Sequence, residues 1–245
     1  MQHKLLFTLL FLLGGLQLSF SQKKQAEFGI VLRPIFESDA FRTGPIKAIN
    51  DDLILTIRQK SGFAYGAIIR YGLTKSLYFE GGLTITTRNI SLNVIDEEYD
   101  YNIDSDFKFL TYELPVNVMT KVPIRDNFFV TAAAGFVFDF LPSDLETFTP
   151  DGSFYHRTFY KSWIQGAVSA NMGLEYATKN AGSIYIGASF HQPFTDLTIT
   201  RIETQKRINN REEEHTIFTN IAGSYLTFDV RYFFPENKKA PSLNK

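Results

Sequence analysis

The sequence predicts an all-β protein, a single eight-stranded, antiparallel, up-and-down β-barrel that crosses a membrane. Three observations lead to this prediction. Eight segments of the 245-residue chain alternate apolar and polar residues with a period of two, which is the pattern of strands with two different faces. The connections between these segments alternate between short turns and long polar stretches, as in membrane barrels. Beyond the amino terminus, no apolar run approaches the ~20 residues that a membrane helix needs.

The amino terminus has the composition of a secretory signal peptide. Lys4 precedes the apolar run 5–18, and the small residues Ser19 and Ser21 occupy the positions expected before a cleavage site. The chain contains no cysteine, which excludes a lipoprotein anchor and disulfide bonds. The predicted division is a signal peptide at 1–21, a barrel domain at 22–234 and a polar tail at 235–245.

The predicted strands all alternate in this way, and they cover 26–36, 62–73, 77–93, 106–122, 128–140, 158–178, 183–200 and 217–234. The last strand shows the pattern most clearly. One of its faces is apolar and consists of Leu226, Phe228, Val230, Tyr232 and Phe234. Its other face is polar and carries Tyr225, Thr227, Asp229 and Arg231. A lipid-exposed strand must have both edges hydrogen-bonded, and only a closed barrel satisfies every strand in a sheet.

The connections predict which end of the barrel is which. Three of them are short and rich in turn-forming residues, at 74–76, 123–127 and 179–182. Four are long and polar, at 37–61, 94–105, 141–157 and 203–215. Outer-membrane barrels carry short turns on the periplasmic side, so both termini are expected there. Pro115 lacks a backbone donor for the sheet, which predicts a bulge in the fourth strand.

We expect the apolar face to point outward, because an eight-stranded barrel has a lumen only wide enough for its own side chains. The many large apolar residues would not fit inside it. The alternative is a soluble, lipocalin-like barrel with the apolar face inside. The outward prediction places five cations and five carboxylates in the lumen, a packed and charge-paired interior rather than an open pore. These residues are Arg33, Arg70, Glu80, Arg88, Glu113, Lys121, Asp139, Glu175, Asp229 and Arg231.

Two segments resemble a known family. The stretch Phe109-Leu110-Thr111-Tyr112-Glu113-Leu114-Pro115-Val116-Asn117-Val118 resembles the "Leu-Glu-Ile-Pro-Leu" strand of the PorT-like outer-membrane β-barrel proteins of bacteria. The sequence Val-Arg-Tyr-Phe-Phe at 230–234 is similar to the end of that family's barrel. The resemblance implies an outer-membrane barrel, and for PorT itself a part in type IX protein secretion. Family chains usually end at the aromatic residue, whereas this chain continues through 235–245.

Candidate chemistry is sparse. Ser189 and His191 share the inner face of the seventh strand, so an acyl hydrolase with Glu175 or Asp229 orienting the histidine is one hypothesis. A histidine that takes part in the polar interior is the preferred interpretation, because no nucleophile-elbow motif is present. The acidic segment 96–100, with Asp104 and Asp106, could bind Ca²⁺ but lacks EF-hand spacing. Segment 212–215 lacks the spacing of a zinc motif. The sequence therefore predicts no catalytic residue, cofactor or metal ligand.

The formal net charge and the predicted fold class together lead to a prediction of function. The formal net charge is −1, which does not favour binding to nucleic acid. We expect an integral protein of the Gram-negative outer membrane with a non-enzymatic role, structural, adhesive or secretion-accessory, that acts through its external loops. A narrow porin and a lipid-modifying hydrolase are the alternatives. The expected partners are outer-membrane lipid, lipopolysaccharide, the barrel-assembly machinery and a protein partner at the external loops.

Overall fold

A computed structural model describes residues 26–37, 45–50, 53–98, 100–142, 144–148, 154–208 and 211–235. The predicted signal peptide and nearly all of the predicted tail lie outside these residues, so the division of the chain stays a prediction. The described strands number thirteen: β1 (Ala26–Phe36), β2 (Ile46–Asn50), β3 (Leu53–Gly72), β4 (Leu77–Asp96), β5 (Tyr101–Arg125), β6 (Phe128–Phe140), β7 (Leu145–Phe148), β8 (Phe154–Tyr160), β9 (Ile164–Ala177), β10 (Ser183–Pro193), β11 (Thr198–Ile208), β12 (Arg211–Ile221) and β13 (Tyr225–Phe233). Within the described ranges, no helix is long or apolar enough to span a bilayer.

Eight of the strands form a closed ring in the order β1-β13-β10-β9-β6-β5-β4-β3. The ring closes where β1 pairs with β3, from Ala26 opposite Tyr71 to Ile35 opposite Gly62. Every neighbouring pair is antiparallel. The predictions of an all-β fold and of antiparallel, up-and-down strands are confirmed.

Three short turns lie at one end of the ring, which we call the turn end. They occupy 73–76, 126–127 and 178–182, as the turn-forming residues predict. The hydroxyl oxygen of Thr74 accepts a hydrogen bond from the backbone N–H of Leu77 at 3.0 Å, which is the local bond that a threonine offers to a turn. Asn127 adopts a φ of 66°, a left-handed conformation that asparagine tolerates better than most residues.

The ring exposes its apolar face, as predicted, which contradicts the alternative of a soluble barrel with an apolar lumen. The exposed side chains include Phe28, Ile30, Leu32, Tyr65, Leu83, Leu114, Val116, Phe136, Met172, Leu174, Ile186 and Phe228. On β6 this row runs from Phe128 at the turn end to Phe138 at the other end. Ten residue steps on a tilted strand correspond to roughly 25 Å along the ring axis, the height of the apolar band on outer-membrane barrels.

At the end opposite the turns, the chain builds a second unit, which we call the extension. It consists of β2, the ends of β3, β4 and β5 farthest from the turns, and a separate four-stranded sheet in the order β12-β11-β8-β7. The two sheets enclose an apolar core formed by Leu53, Leu55, Ile57, Ile90, Leu92, Val94, Phe107, Phe154, Ile202, Ile217 and Ile221. The extension is thus built like a water-soluble β-sandwich, with apolar side chains inside.

The extension corrects the prediction of four long polar loops and of continuous strands six to eight. Most of the described part of those loops is strand, including β2 and β7. Predicted strand 158–178 is divided between β8 and β9, strand 183–200 between β10 and β11, and strand 217–234 between β12 and β13. In each case one part belongs to the ring and the other to the second sheet. The two-residue alternation of apolar and polar residues continues through all three breaks, because the strands of both sheets have one apolar and one polar face.

Glycine makes one of these breaks possible. Gly223 lies between β12 and β13 with a φ of 75°, a conformation that L side chains rarely adopt. A Cβ atom at this position would lie 2.2 Å from the Leu197 side chain and 2.9 Å from Nη1 of Arg88. The close approach therefore requires glycine where the chain passes from the extension into the ring.

The predicted bulge at Pro115 is wrong, since β4 and β5 keep one register on both sides of it. The pairing of β5 with β4 is interrupted at Pro115 instead. On the other side of β5, Pro115 stays paired with Val137 of β6. A register shift does occur on β3 between Lys60 and Phe63. The extra residue changes the inward row of β3 from odd-numbered residues in the extension (Leu53, Leu55, Ile57) to even-numbered residues in the ring (Ala64, Ile68, Arg70).

The apolar core of the extension contains one buried histidine. His156 is fully buried, its Nε2 lies 2.8 Å from the hydroxyl oxygen of Thr158, and its ring packs against Phe107 with 4.8 Å between the ring centroids. Burial lowers the pKa of His156 to about 4, because the charged form would lose its hydration without gaining a carboxylate partner. The imidazole is therefore neutral at physiological pH.

Candidate functional site: the ion-paired interior of the ring

All ten charged residues predicted for the lumen lie inside the ring, and none is more than 9% exposed. Strand periodicity explains this placement, since each residue alternates with an outward apolar residue on its strand. The structure divides them into two clusters. The turn-end cluster contains Arg33, Arg70, Glu80, Lys121, Glu175, Asp229 and Arg231, and the upper cluster contains Arg88, Glu113 and Asp139.

Arg70 is the centre of one half of the turn-end cluster. Its guanidinium contacts carboxylate oxygens of Glu175 at 2.8 Å, Glu80 at 3.2 Å and Glu27 at 3.3 Å. Lys121 donates to the second oxygen of Glu175 at 2.5 Å. Each buried charge thus has a partner of opposite sign, which is the condition under which buried charges are tolerated.

Arg231 joins the second half of the cluster to the first. It donates to Glu80 at 2.8 Å and to Asp229 at 2.7 Å. Asp229 also accepts from Arg33 at 3.1 Å and from the hydroxyl of Ser189 at 2.6 Å. A carboxylate with this many donors is satisfied in the interior without water.

Aromatic rings complete the packing of the turn-end cluster. The guanidinium carbon of Arg70 lies 3.8 Å from the centroid of the Phe233 ring, and that of Arg231 lies 4.5 Å from the centroid of Tyr185. Cation–π contacts of this kind strengthen when water is excluded. The interior is therefore filled by side chains at this level.

The upper cluster contains one cation. Nη2 of Arg88 lies 3.4 Å from Glu113, and its Nη1 donates to the carbonyl of Gly223. The hydroxyl of Tyr225 lies 2.8 Å and 2.7 Å from the two oxygens of Glu113. The Arg88 guanidinium also lies 4.7 Å from the centroid of the Tyr225 ring.

Asp139 is paired with a histidine rather than with a permanent cation. Its Oδ2 lies 2.9 Å from Nε2 of His191, and the His191 ring stacks on Tyr225 with 4.6 Å between centroids. The hydrolase hypothesis required Glu175 or Asp229 to orient His191. The structure gives that position to Asp139, and it gives Ser189 a separate hydrogen bond to Asp229. A serine–histidine–carboxylate relay with those partners is therefore not formed.

A cavity of about 20 Å³ lies between the two clusters. Its lining includes Glu113, Asn171, His191 and Tyr225. This volume is enough for about one water molecule or ion and far too small for a solute path.

Sequence reasoning missed Glu27 as a member of the interior, and it did not predict the contacts of the inward residues Tyr185 and Tyr225. Glu27 contacts Arg70, while Tyr185 and Tyr225 contact arginines through their rings. The signal was present for Glu27, which is in phase with the inward Arg33 on the same strand. The tyrosines are amphipathic and suit either face of a barrel, so periodicity alone does not assign their contacts.

The acidic segment does not form a shared calcium site among the described residues. Asp96 points inward, where the hydroxyl of Thr204 donates to it at 2.7 Å and Nδ1 of His215 lies 3.1 Å away. Asp104 and Asp106 lie on the outer face instead, and Asp106 pairs with Lys60 at 2.7 Å. The carboxylates therefore point to opposite sides of the sheet.

The chain is similar to a solved outer-membrane protein. OprG from Pseudomonas aeruginosa matches with a TM-score of 0.51 and 11% identity, over 87% of this chain and 98% of that one. The fold is that of an outer-membrane β-barrel. The β domain of the Bordetella autotransporter BrkA matches with a TM-score of 0.35 and 11% identity, over 88% of this chain and 100% of that one.

A third structure, an outer-membrane channel from Pseudomonas putida F1, matches with a TM-score of 0.28 and 12% identity, over 87% of this chain and 97% of that one. No family model and no curated protein matches the sequence.

Proposed function

We propose that the protein is an integral outer-membrane barrel that does not conduct, and that it acts through the extension, which it holds outside the cell. The role is non-enzymatic: structural, adhesive or secretion-accessory. The proposal rests on one observation: where the ring meets the extension, the outward residues of β3, β4 and β5 change from apolar to polar.

Two neighbouring rows across β3, β4 and β5 mark this change. Lys60, Asn89 and Lys108 lie side by side on the outer surface, and the adjacent row toward the turns is Phe63, Thr87 and Leu110. Below it come Tyr65, Ile85 and Tyr112. An apolar band edged by aromatics and followed by charge is typical of the boundary between bilayer and water. The extension then lies in water and the ring in lipid.

The short turns support the proposed orientation. Short turns face the periplasm in outer-membrane barrels, so the turn end and both termini are assigned to the periplasm and the extension to the exterior. There it would meet lipopolysaccharide. The expected interaction with the barrel-assembly machinery remains part of the proposal.

Conductance in planar bilayers tests the closed interior. The ion-paired clusters and the cavity of about 20 Å³ predict no channel beyond small leaks. A porin reconstituted in the same bilayers provides the positive control. Stable, ion-selective channels at every insertion would contradict the proposal and favour the narrow porin, which is the second candidate function.

A chain without the β11–β12 hairpin tests the role of the extension. Replacing 199–220 with a short turn removes half of the second sheet but leaves all eight ring strands. We expect the variant to reach the outer membrane and keep its heat-modifiable mobility on gels, yet to fail to complement a deletion strain. The phenotype to score is the set of secreted and surface proteins, since the PorT-like resemblance suggests secretion. Full complementation by this variant would contradict an external role of the extension.

A further inference from the structure

The upper cluster carries an excess of negative charge. Within the described residues, Arg88 is its one permanent cation. Its two carboxylates, Glu113 and Asp139, are both buried. The turn-end cluster differs: there four cations meet four carboxylates, Glu27 included. In a medium of low dielectric constant, an uncompensated carboxylate is costly, so a further positive charge is favoured beside Asp139.

The ligand atoms of three residues converge at this point. One oxygen each from Glu113 and Asp139 and one ring nitrogen of His191 lie within 4.8 Å of one another. Ligands held about 2.1 Å from a common ion are separated from each other by roughly 3–3.5 Å. Only a small contraction of the present arrangement is needed for all three to contact one ion.

Two buried oxygen atoms at this site lack hydrogen-bond partners, and one of them belongs to Asn171, which is not a member of the carboxylate cluster. Across the part of the chain that the structure describes, no donor reaches Oδ1 of Asp139 or Oδ1 of Asn171. Asp139 is fully buried and Asn171 is 7% exposed. Asn171 lines the same cavity of about 20 Å³ as Glu113 and His191. A buried acceptor without a protein donor is favourably placed to bind an ion or a water molecule.

We propose that the upper cluster is a binding site for one divalent transition-metal ion, of which Zn²⁺ is the type. Glu113, Asp139 and His191 supply the ligands, and the cavity that Asn171 lines holds a coordinated water molecule. An imidazole combined with carboxylates selects zinc and its neighbours over Mg²⁺ and Ca²⁺, which prefer oxygen ligands alone. The two carboxylates neutralise the ion, while Arg88 keeps its contacts with the Gly223 carbonyl and the Tyr225 ring.

The ion would join three strands of the ring. Glu113 lies on β5, Asp139 on β6 and His191 on β10, and β9 separates the last two. Tyr225 contacts both oxygens of Glu113 and so acts as a positioning residue rather than a ligand. This site does not depend on the proposed function, because a closed barrel, a porin or a hydrolase could contain it.

Metal content of the untagged, refolded chain tests the proposal. The protein is stripped with a chelator, refolded in detergent with and without Zn²⁺, separated from free metal and analysed by mass spectrometry. We expect about one zinc per chain, unaffected by a large excess of Mg²⁺. His191→Gln and Asp139→Asn should reduce it to near zero, while the control His156→Gln, at the other fully buried histidine, retains it. No bound zinc in the wild-type chain would overturn the proposal.

A second measurement keeps the proposal testable if the ligand variants fail to fold. In the double variant His156→Gln/His215→Gln, His191 is the single histidine beyond the predicted signal peptide. Copper(II) refolded into that chain should show an electron paramagnetic resonance spectrum with coupling to one imidazole nitrogen. Absence of nitrogen coupling would exclude His191 as a ligand and overturn the site.

Discussion

The ring and the extension are both antiparallel β structure, and β3, β4 and β5 run through both of them, yet their polarity is opposite. The inward row of β4 changes from Glu80, Thr84 and Arg88 in the ring to Ile90 and Val94 in the extension. Its outward row changes from apolar to polar at the same level. The strand itself is the same; on the proposed function, what differs is the medium outside it, lipid around the ring and water around the extension.

The two units therefore differ in how much the burial of apolar side chains stabilises them. In the extension, moving apolar side chains out of water stabilises the fold by about 25 cal/mol per Å². On the proposed function the ring lies in lipid, which removes that driving force between the outward side chains, so specificity would rest on packing, backbone hydrogen bonds and paired interior charges. Four changes test this difference, from the largest expected effect to the smallest.

Removing a cation from the ring interior should have the largest effect. Arg231→Met deletes the contacts to Glu80 and Asp229 and leaves both carboxylates buried. Breaking a buried ion pair in this way costs about 3–5 kcal/mol. Urea unfolding in lipid vesicles, followed by the fluorescence of Trp163, measures the loss. Lys60→Met, at the exposed pair with Asp106, is the matched control and should change little. Equal effects would mean that the interior charges are not coupled.

Cavity formation should be costly in the extension and inexpensive on the outer surface of the ring. Leu92→Ala removes a fully buried side chain from the apolar core, and we expect a loss of about 3 kcal/mol. Leu114→Ala changes a side chain on the outer face of β5, where lipid fills the space. Hydrogen exchange of β8 and β11 amides reports the loss in the extension. Heat-modifiable mobility should survive in both variants, and its loss in Leu92→Ala would show that the two units are not separable.

Charge on the outer face should discriminate between lipid and water. Leu83→Arg places a cation near the middle of the apolar band and should cost about 2–4 kcal/mol in vesicles. Ser91→Arg lies on the same face of the same strand, in the extension, and should change the stability by less than about 0.5 kcal/mol. If Leu83→Arg is as well tolerated as Ser91→Arg, the ring does not contact lipid.

Acid should weaken the extension through His156. Its folded pKa of about 4 lies below the value of about 6.5 expected in the unfolded chain, so the unfolded state binds the proton more readily. The stability is fully present above pH 6.5 and falls as the pH is lowered toward 4, by about 2 kcal/mol at pH 5. Exchange of β8 amides at pH 5 and 7.5, corrected for intrinsic rates, measures this change. In His156→Gln this part of the pH dependence should disappear, and an unchanged profile would assign it to another group.

The ring was predictable because its strands carry a local signal, the alternation of an apolar and a polar face. The predicted strands 26–36 and 128–140 agree with β1 and β6 residue for residue. The extension was missed because Leu53, Leu55 and Ile57 stand in a connection that appeared polar overall. Their alternation has the same period as a ring strand but the opposite polarity. Alternation reports two unlike faces without naming the sheet to which a strand belongs.

The interior shows the same division between local and tertiary information. The two-residue period of the strands and the small volume of the lumen were enough to place all ten charged residues inside the ring. They were not enough to pair them: Arg33 and Asp229 are 196 residues apart, and His191 contacts Asp139 rather than either carboxylate that the sequence suggested. Pairing depends on register and on which strands become neighbours when the ring closes.

The sequence by itself determined the all-β class, the short turns and which face of each ring strand points outward, because these follow from a two-residue period and from the volume of an eight-stranded lumen. Only the tertiary structure decided that strands six to eight divide between two sheets, that an apolar sandwich caps the ring and that Glu113, Asp139 and His191 meet. The physical reason is that a side chain's direction is a local property of its strand, whereas its neighbours depend on the closure of the whole sheet.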